Sequence, residues 1–104
     1  MKRTRSLLRV AMALMEDPQG HHWGYDLTKR AGIRSGVLYP TLRRMEAEGW
    51  LDDGWEDPET VSGRPPRRYY ELTDEGRAAL GGMIEQARRE GKSARMRGGL
   101  ALDA

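Results

Sequence analysis

Gly63-Arg64-Pro65-Pro66-Arg67-Arg68-Tyr69-Tyr70-Glu71-Leu72 is the stretch on which the fold turns. Three arginines stand on a Gly/Pro-rich loop that runs directly into an aromatic, strand-like segment. Immediately upstream, residues 51–63 carry Asp52, Asp53, Glu56, Asp57 and Glu59 with no Lys or Arg among them. The charge therefore reverses where a hairpin between Trp50–Glu56 and Arg68–Leu72 would turn. Each proline fixes its own φ and biases the residue before it towards extended backbone, so the basic loop is pre-extended. Planar guanidinium groups match phosphate in bidentate fashion, and such a loop suits a phosphate backbone. The same loop could equally be a solvated hairpin tip. The rest of the chain decides between the two by building, or not building, a platform for it.

Working back from the hairpin, a helix is expected from Ser35 to Glu48, ending at Gly49. At 100° per residue Leu38, Leu42 and Met45 cluster inward, while Gly36, Pro40, Arg43, Arg44 and Ala47 face out. A solvated face would normally carry Glu, Lys and Gln. Small residues followed one turn later by two arginines suit a helix pushed N-terminus first into a major groove. Tyr39, at the edge of the inward face, is either a phosphate contact through its hydroxyl or a packing residue. A shorter helix, Tyr25–Ala31, precedes it across Gly32-Ile33-Arg34, a tight Gly-containing connection typical of helix-turn-helix units. Residues 4–16 form the first helix, capped by Thr4 or Ser6, with Leu7, Val10, Ala11 and Leu14 at core spacing. Leu8, Met12 and Met15 make a second apolar stripe, one more than a small core needs, and point to a subunit contact.

Beyond the hairpin, Thr73 caps a fourth helix that presents Leu80, Met83, Ile84 and Ala87, with Gly81-Gly82 weakening its middle. Residues 91–104 lack apolar periodicity and are expected to be a flexible tail. The order predicts a mainly α (α+β) fold: a winged helix-turn-helix over 1–72, of three helices and a two-stranded wing, then a C-terminal dimerisation helix over 73–90.

Composition narrows the function. A chain of 104 residues with 38% hydrophobic residues holds one modest core, and small cores often gain burial by dimerising. Net charge is only +2, so the protein is no generic polycation. Its distribution says more, because residues 1–50 hold 9 basic and 5 acidic side chains, the pattern of a surface facing a polyanion. The absence of cysteine excludes disulfides, thiolate catalysis and Cys-type zinc sites. His21-His22 lacks the spacing and partners of a metal site and is expected on a surface loop. Asp52 and Asp53, adjacent on a strand, point to opposite faces and cannot act as a catalytic pair, so no enzyme activity, metal or cofactor is expected. No apolar run spans a membrane and no signal-peptide core is present, which places the chain in the cytoplasm. Trp23, Trp50 and Trp55 are expected to anchor the core or the wing.

Four motifs in order carry a resemblance to PadR-like transcriptional regulators, over about Leu7 to Arg77. They are Gly24-Tyr25-Asp26-Leu27, Gly36-Val37-Leu38-Tyr39-Pro40, Glu48-Gly49 with Trp55, and Gly63-Arg64-Pro65-Pro66-Arg67-Arg68-Tyr69-Tyr70 through Leu72-Thr73. The resemblance implies a winged helix that dimerises through its first and last helices and represses transcription. Carried over by position, Arg34, Ser35, Gly36, Tyr39, Pro40, Arg43 and Arg44 would read double-stranded DNA. Arg64, Arg67 and Arg68 would hold phosphates or enter the minor groove, and Leu8, Met12, Met15, Leu80, Met83, Ile84 and Ala87 would join two subunits. The chain departs from the family pattern at Val37, where a threonine is usual, and at Arg34, where a serine cap is common and Ser35 substitutes. Its last helix has no Trp, Tyr or Phe, so a small-molecule effector is possible but not indicated. The rival reading is a winged helix used to dock an acidic protein partner.

Overall fold

The computed structural model describes residues 1–103 of the chain, with side chains to residue 96. Helix α1 spans Arg5–Met15, and Thr4 caps it: the Leu7 N–H donates to Thr4 Oγ1 at 3.1 Å. Its buried stripe is Leu7, Val10, Ala11, Ala13 and Leu14. After the turn at Asp17–Gly20, strand β1 (His22–Trp23) leads straight into α2 (Gly24–Ala31). Gly32 ends α2 at φ 67°, left-handed backbone that costs glycine nothing, and the Ile33 N–H donates back to the Thr28 carbonyl at 3.1 Å. Helix α3 spans Ser35–Ala47, and Leu38, Leu42 and Met45 are all 0% exposed, as their spacing requires.

Strands β2 (Leu51–Trp55) and β3 (Arg68–Leu72) form the wing, in register from Leu51 opposite Leu72 to Trp55 opposite Arg68. Thr73 then joins three elements at once. Its hydroxyl accepts the Gly76 N–H at 2.9 Å to cap α4 (Asp74–Asp103), and it donates to the Gly49 carbonyl at 2.6 Å, while its backbone N–H donates to the Trp50 carbonyl. The single core gathers Leu7, Val10 and Leu14 of α1, Leu27 of α2, the inner face of α3, Leu51, Tyr70 and Leu72 of the sheet, and Leu80 of α4. Four helices and a small antiparallel sheet make a winged helix-turn-helix, as the pattern predicts.

Five details differ from the sequence reading. The sheet has three strands in the order β1-β3-β2, not two, because His22 and Trp23 pair with Tyr70 and Tyr69. A two-residue strand is too short to leave a periodic signature. His22 is therefore not on a surface loop but 2% exposed, with Nε2 2.9 Å from the Asp17 carbonyl and Nδ1 2.8 Å from Arg30 Nη2. Arg30 also donates to the Ala13 carbonyl and pairs with Glu16 and Asp26, so this pair ties the end of α1 to α2. Ser35 does not cap α3: Arg34 occupies the cap position without a side-chain bond, and Ser35 is the first helical residue. The boundary expected at residue 90 is absent, since α4 continues through Asp103 on a run of Lys, Ala, Arg, Met and Leu that outweighs its glycines; residue 104 lies outside the described residues. Leu80, expected between subunits, is 0% exposed in the core of its own subunit.

Candidate nucleic-acid interface

The outer face of α3 is positioned by its inner one. With Leu38, Leu42 and Met45 locked in the core, Arg43 and Arg44 are left exposed about one turn beyond Tyr39 and two beyond Gly36. A Cβ built at Gly36 meets nothing within 4 Å, so this end of the helix stands clear of the body. Pro40 is half-buried within the helix, and Thr41 beside it returns its hydroxyl to the Val37 carbonyl at 2.8 Å. Tyr39 is 38% exposed and lies so close to Gly24 that any Cβ there would collide with its ring. The ring thus packs on the backbone at Gly24, where any side chain would have to displace it, while part of the ring stays on the surface.

A cleft of about 610 Å³ opens between α3, the start of α2 and the sheet. Arg43 lines it from α3, Arg68 from β3 and Arg67 from the loop just before it, and Trp23, Tyr39 and Tyr70 form its aromatic walls. Burial raises the Tyr70 phenol above its usual range. Burial, and then the neighbouring Asp53 carboxylate, likewise raise Glu46 at the cleft's edge. A second, shallower concavity joins Arg34 and Ser35 to Tyr25, Lys29 and Tyr39. The two share Tyr25 and Tyr39, so one continuous surface runs from Arg34 through α3 to Arg68.

The cations on that surface fall into two groups. Among the described residues no carboxylate lies within ion-pairing distance of Arg34, Arg43 or Arg44. The wing arginines are all engaged. Arg64 donates through Nη1 and Nη2 to the two oxygens of Glu56 at 2.7 and 3.0 Å. Arg67 sets its backbone N–H 2.8 Å from Glu56 Oε1 and its Nε 3.6 Å from the same oxygen. Arg68 pairs with Asp53 at 3.0 Å. The Arg64 guanidinium holds the Glu56 carboxyl down at about 2. Arg67 also lies over the Trp23 ring and Arg68 over that of Trp55, with centroid distances of 5.6 and 5.3 Å.

Two surface residues escaped the sequence reading. Tyr25 is 70% exposed, with the Lys29 ammonium 4.7 Å above its ring, and both stand on the outer side of α2. Their i, i+4 spacing, opposite the buried Leu27, was the available signal. Trp55 is 63% exposed on the wing, held by Arg68 rather than by the core, whereas Trp50 packs against the core and Trp23 meets Tyr69 edge to face. On the other side of the molecule, Met12 is 53% exposed on α1 and Leu8 and Met15 are half-buried. Met83, Ile84 and Ala87 of α4 are also half-buried, and α4 packs along α1. No helix among the described residues is long and apolar enough to cross a membrane.

Comparison with known proteins agrees with this architecture. Residues 12–82 match the transcriptional regulator PadR-like family. A PadR family transcriptional regulator from Eggerthella lenta shares 30% identity, covering 88% of this chain and 82% of that one at a TM-score of 0.69. A PadR family regulator from Clostridium difficile superposes at a TM-score of 0.74 over 89% of this chain and 97% of that one, with 23% identity, a likeness of fold. A transcriptional regulator of Mycobacterium tuberculosis is 48% identical over 48 residues, a match spanning 46% of this chain and 41% of the relative.

Proposed function

We propose that this chain, which belongs to the PadR-like family of transcriptional regulators, acts as a dimeric repressor on an inverted-repeat operator. DNA binding is the property its surface supports best, and one observation carries it. Arg34 and Arg43, which have no carboxylate partner among the described residues, share a continuous concave face with Arg67 and Arg68 of the wing, and Arg44 stands exposed on α3 beside it. In this reading α3 enters the major groove with Ser35 and Gly36 leading. Arg44, which points away from the cleft, reads base edges, because guanidinium pairs in bidentate fashion with guanine. Arg43, Arg67 and Arg68 surround the cleft and take backbone phosphates, which position the protein without reading sequence.

Dimerisation is supported by the apolar strip on the opposite side. Met12 is the most exposed member, and Leu8, Met15, Met83, Ile84 and Ala87 extend the strip along the α1–α4 pair. A second copy seated there would present two α3 helices on one side of a duplex, the geometry that inverted half-sites require. Repression then follows from occupancy of promoter DNA.

A gel shift with random-sequence duplex at low salt tests the binding step. Retardation that weakens steeply as salt is added, and weakens at every sequence on Arg67→Ala, supports the reading. No retardation at low salt, or retention only of an acidic protein, sinks it.

A further inference from the structure

The wing is a basic element whose charges are spent inside the free protein. Glu56 accepts both terminal nitrogens of Arg64 and the backbone N–H of Arg67, and stands 3.6 Å from Arg67 Nε. A bidentate carboxylate uses the same pair of donors, in the same plane, that a phosphate would use. Glu56 thus sits where a phosphate ligand of Arg64 would sit. Its side chain is only 15% exposed, so it is no loosely waving surface acid. The arginines of α3, by contrast, have no such partner among the described residues. One half of the surface is open to an anion and the other half is latched.

We propose that Glu56 is a specificity-determining residue for DNA, an internal counter-ion that holds Arg64 until a duplex of sufficiently negative potential displaces it. The inference rests on the DNA-binding reading above. The bland explanation is that the pair merely stabilises the hairpin. The register of β2 on β3 is already set by five residue pairs and by β1 on the far side of β3. The hairpin does not need this carboxylate to find its register. Its consequence lies in binding. A weakly negative groove leaves Arg64 on Glu56, while a narrow A·T-rich minor groove, where the potential is most negative, draws it away. Glu56 therefore widens the gap between A·T-rich and G·C-rich flanks by keeping the wing off the latter.

The test uses the full chain and two duplexes with the same centre, one with A·T-rich and one with G·C-rich flanks, followed by fluorescence anisotropy across a salt series. Glu56→Gln keeps a side-chain oxygen for the Arg67 N–H while removing the charge. It should tighten binding to the G·C-flanked duplex on the order of tenfold, and to the A·T-flanked duplex by less. Its salt slope should be steeper by about one. The gain should vanish in Glu56→Gln combined with Arg64→Gln. Glu56→Ala, which removes the carboxylate altogether, should move G·C-flanked binding in the same direction, which covers the case of a poorly folded Glu56→Gln variant. Weaker binding by both Glu56→Gln and Glu56→Ala would make Glu56 a brace and overturn the proposal. So would an equal gain on both duplexes, or a gain that survives Arg64→Gln, which is general charge repulsion. Wild-type protein that binds neither duplex at low salt removes the DNA-binding reading itself, and this inference with it.

Discussion

Acidification should destabilise this protein through His22, and His22→Gln should remove that part of the pH dependence. The imidazole is 2% exposed, and burial is the main cause of its lowered pKa. The Asp17 carbonyl, 2.9 Å from Nε2, pulls the other way; Arg30, 2.8 Å from Nδ1, adds to the lowering. The groups facing the ring are Asp17 from the turn and Arg30 and Asp26 from α2, with Glu16 held by Arg30. With Arg30 donating to Nδ1, the ring is neutral, carries its proton on Nε2 and donates it to Asp17. The unfolded chain binds a proton near the ordinary value of 6.5, whereas the folded chain resists one below it. Stability from this site is therefore complete above pH 6.5 and is lost as pH falls from 6.5 towards the folded pKa. Each pH unit in that window costs at most about 1.4 kcal/mol, which is also the ceiling on the loss between about pH 7.5 and 5.5. Urea melts of wild type and His22→Gln at both pH values measure it, because the carboxylates common to the two proteins cancel in the difference. His22→Gln should be less stable at pH 7.5, having lost the Arg30 bond, yet lose less than wild type on acidification. Equal losses in the two proteins would refute the neutral, Arg30-bonded histidine.

Met12→Glu, at a site 53% exposed in the single subunit, should leave the fold intact and shift light scattering at tens of micromolar from dimer to monomer; a wild-type monomer there would end the dimer proposal. Arg44→Ala should relax preference at one base position per half-site by about 1–3 kcal/mol, while Arg68→Ala should weaken all duplexes alike and flatten the salt slope by about one. The reverse pattern in competition assays would exchange the roles of α3 and the wing. Gly82→Ala places a methyl where nothing lies within 4 Å, so it should raise thermal stability by about 1 kcal/mol from helix propensity alone. A lowered melting temperature would mean that a second subunit covers this face.

The architecture was legible because its strongest signals are local. Gly32 and Gly49 mark helix ends, Thr73 marks a helix start, and Leu38, Leu42 and Met45 mark a buried face by spacing alone. What could not be read depends on pairing across the chain. The strand at His22–Trp23 exists only because Tyr69 and Tyr70 come to meet it, and Arg30 reaches His22 across the face of α2. The length of α4 was obscured by glycines whose cost is small against a long run of good helix formers. In the candidate site, the exposed arginines of α3 follow from its periodicity. The state of the wing does not: sequence shows five acids followed by three arginines, and only the folded hairpin sets Glu56 on Arg64 and Asp53 on Arg68. Leu80 was misplaced for a related reason, since a helix can turn the same apolar stripe towards its own core or towards a neighbour.

Selection of binding sites from a random duplex pool tests the central claim most directly, because the pool contains every candidate operator at once. Two α3 helices related by a two-fold axis must meet the major groove on one side of the duplex. The enriched sequences should therefore be inverted repeats, with half-site centres about 10 bp apart or a multiple of that. Inserting about 5 bp at the dyad should turn one half-site to the far side and nearly abolish binding. Enrichment of a single unrepeated motif, or affinity undiminished by that insertion, would contradict the account.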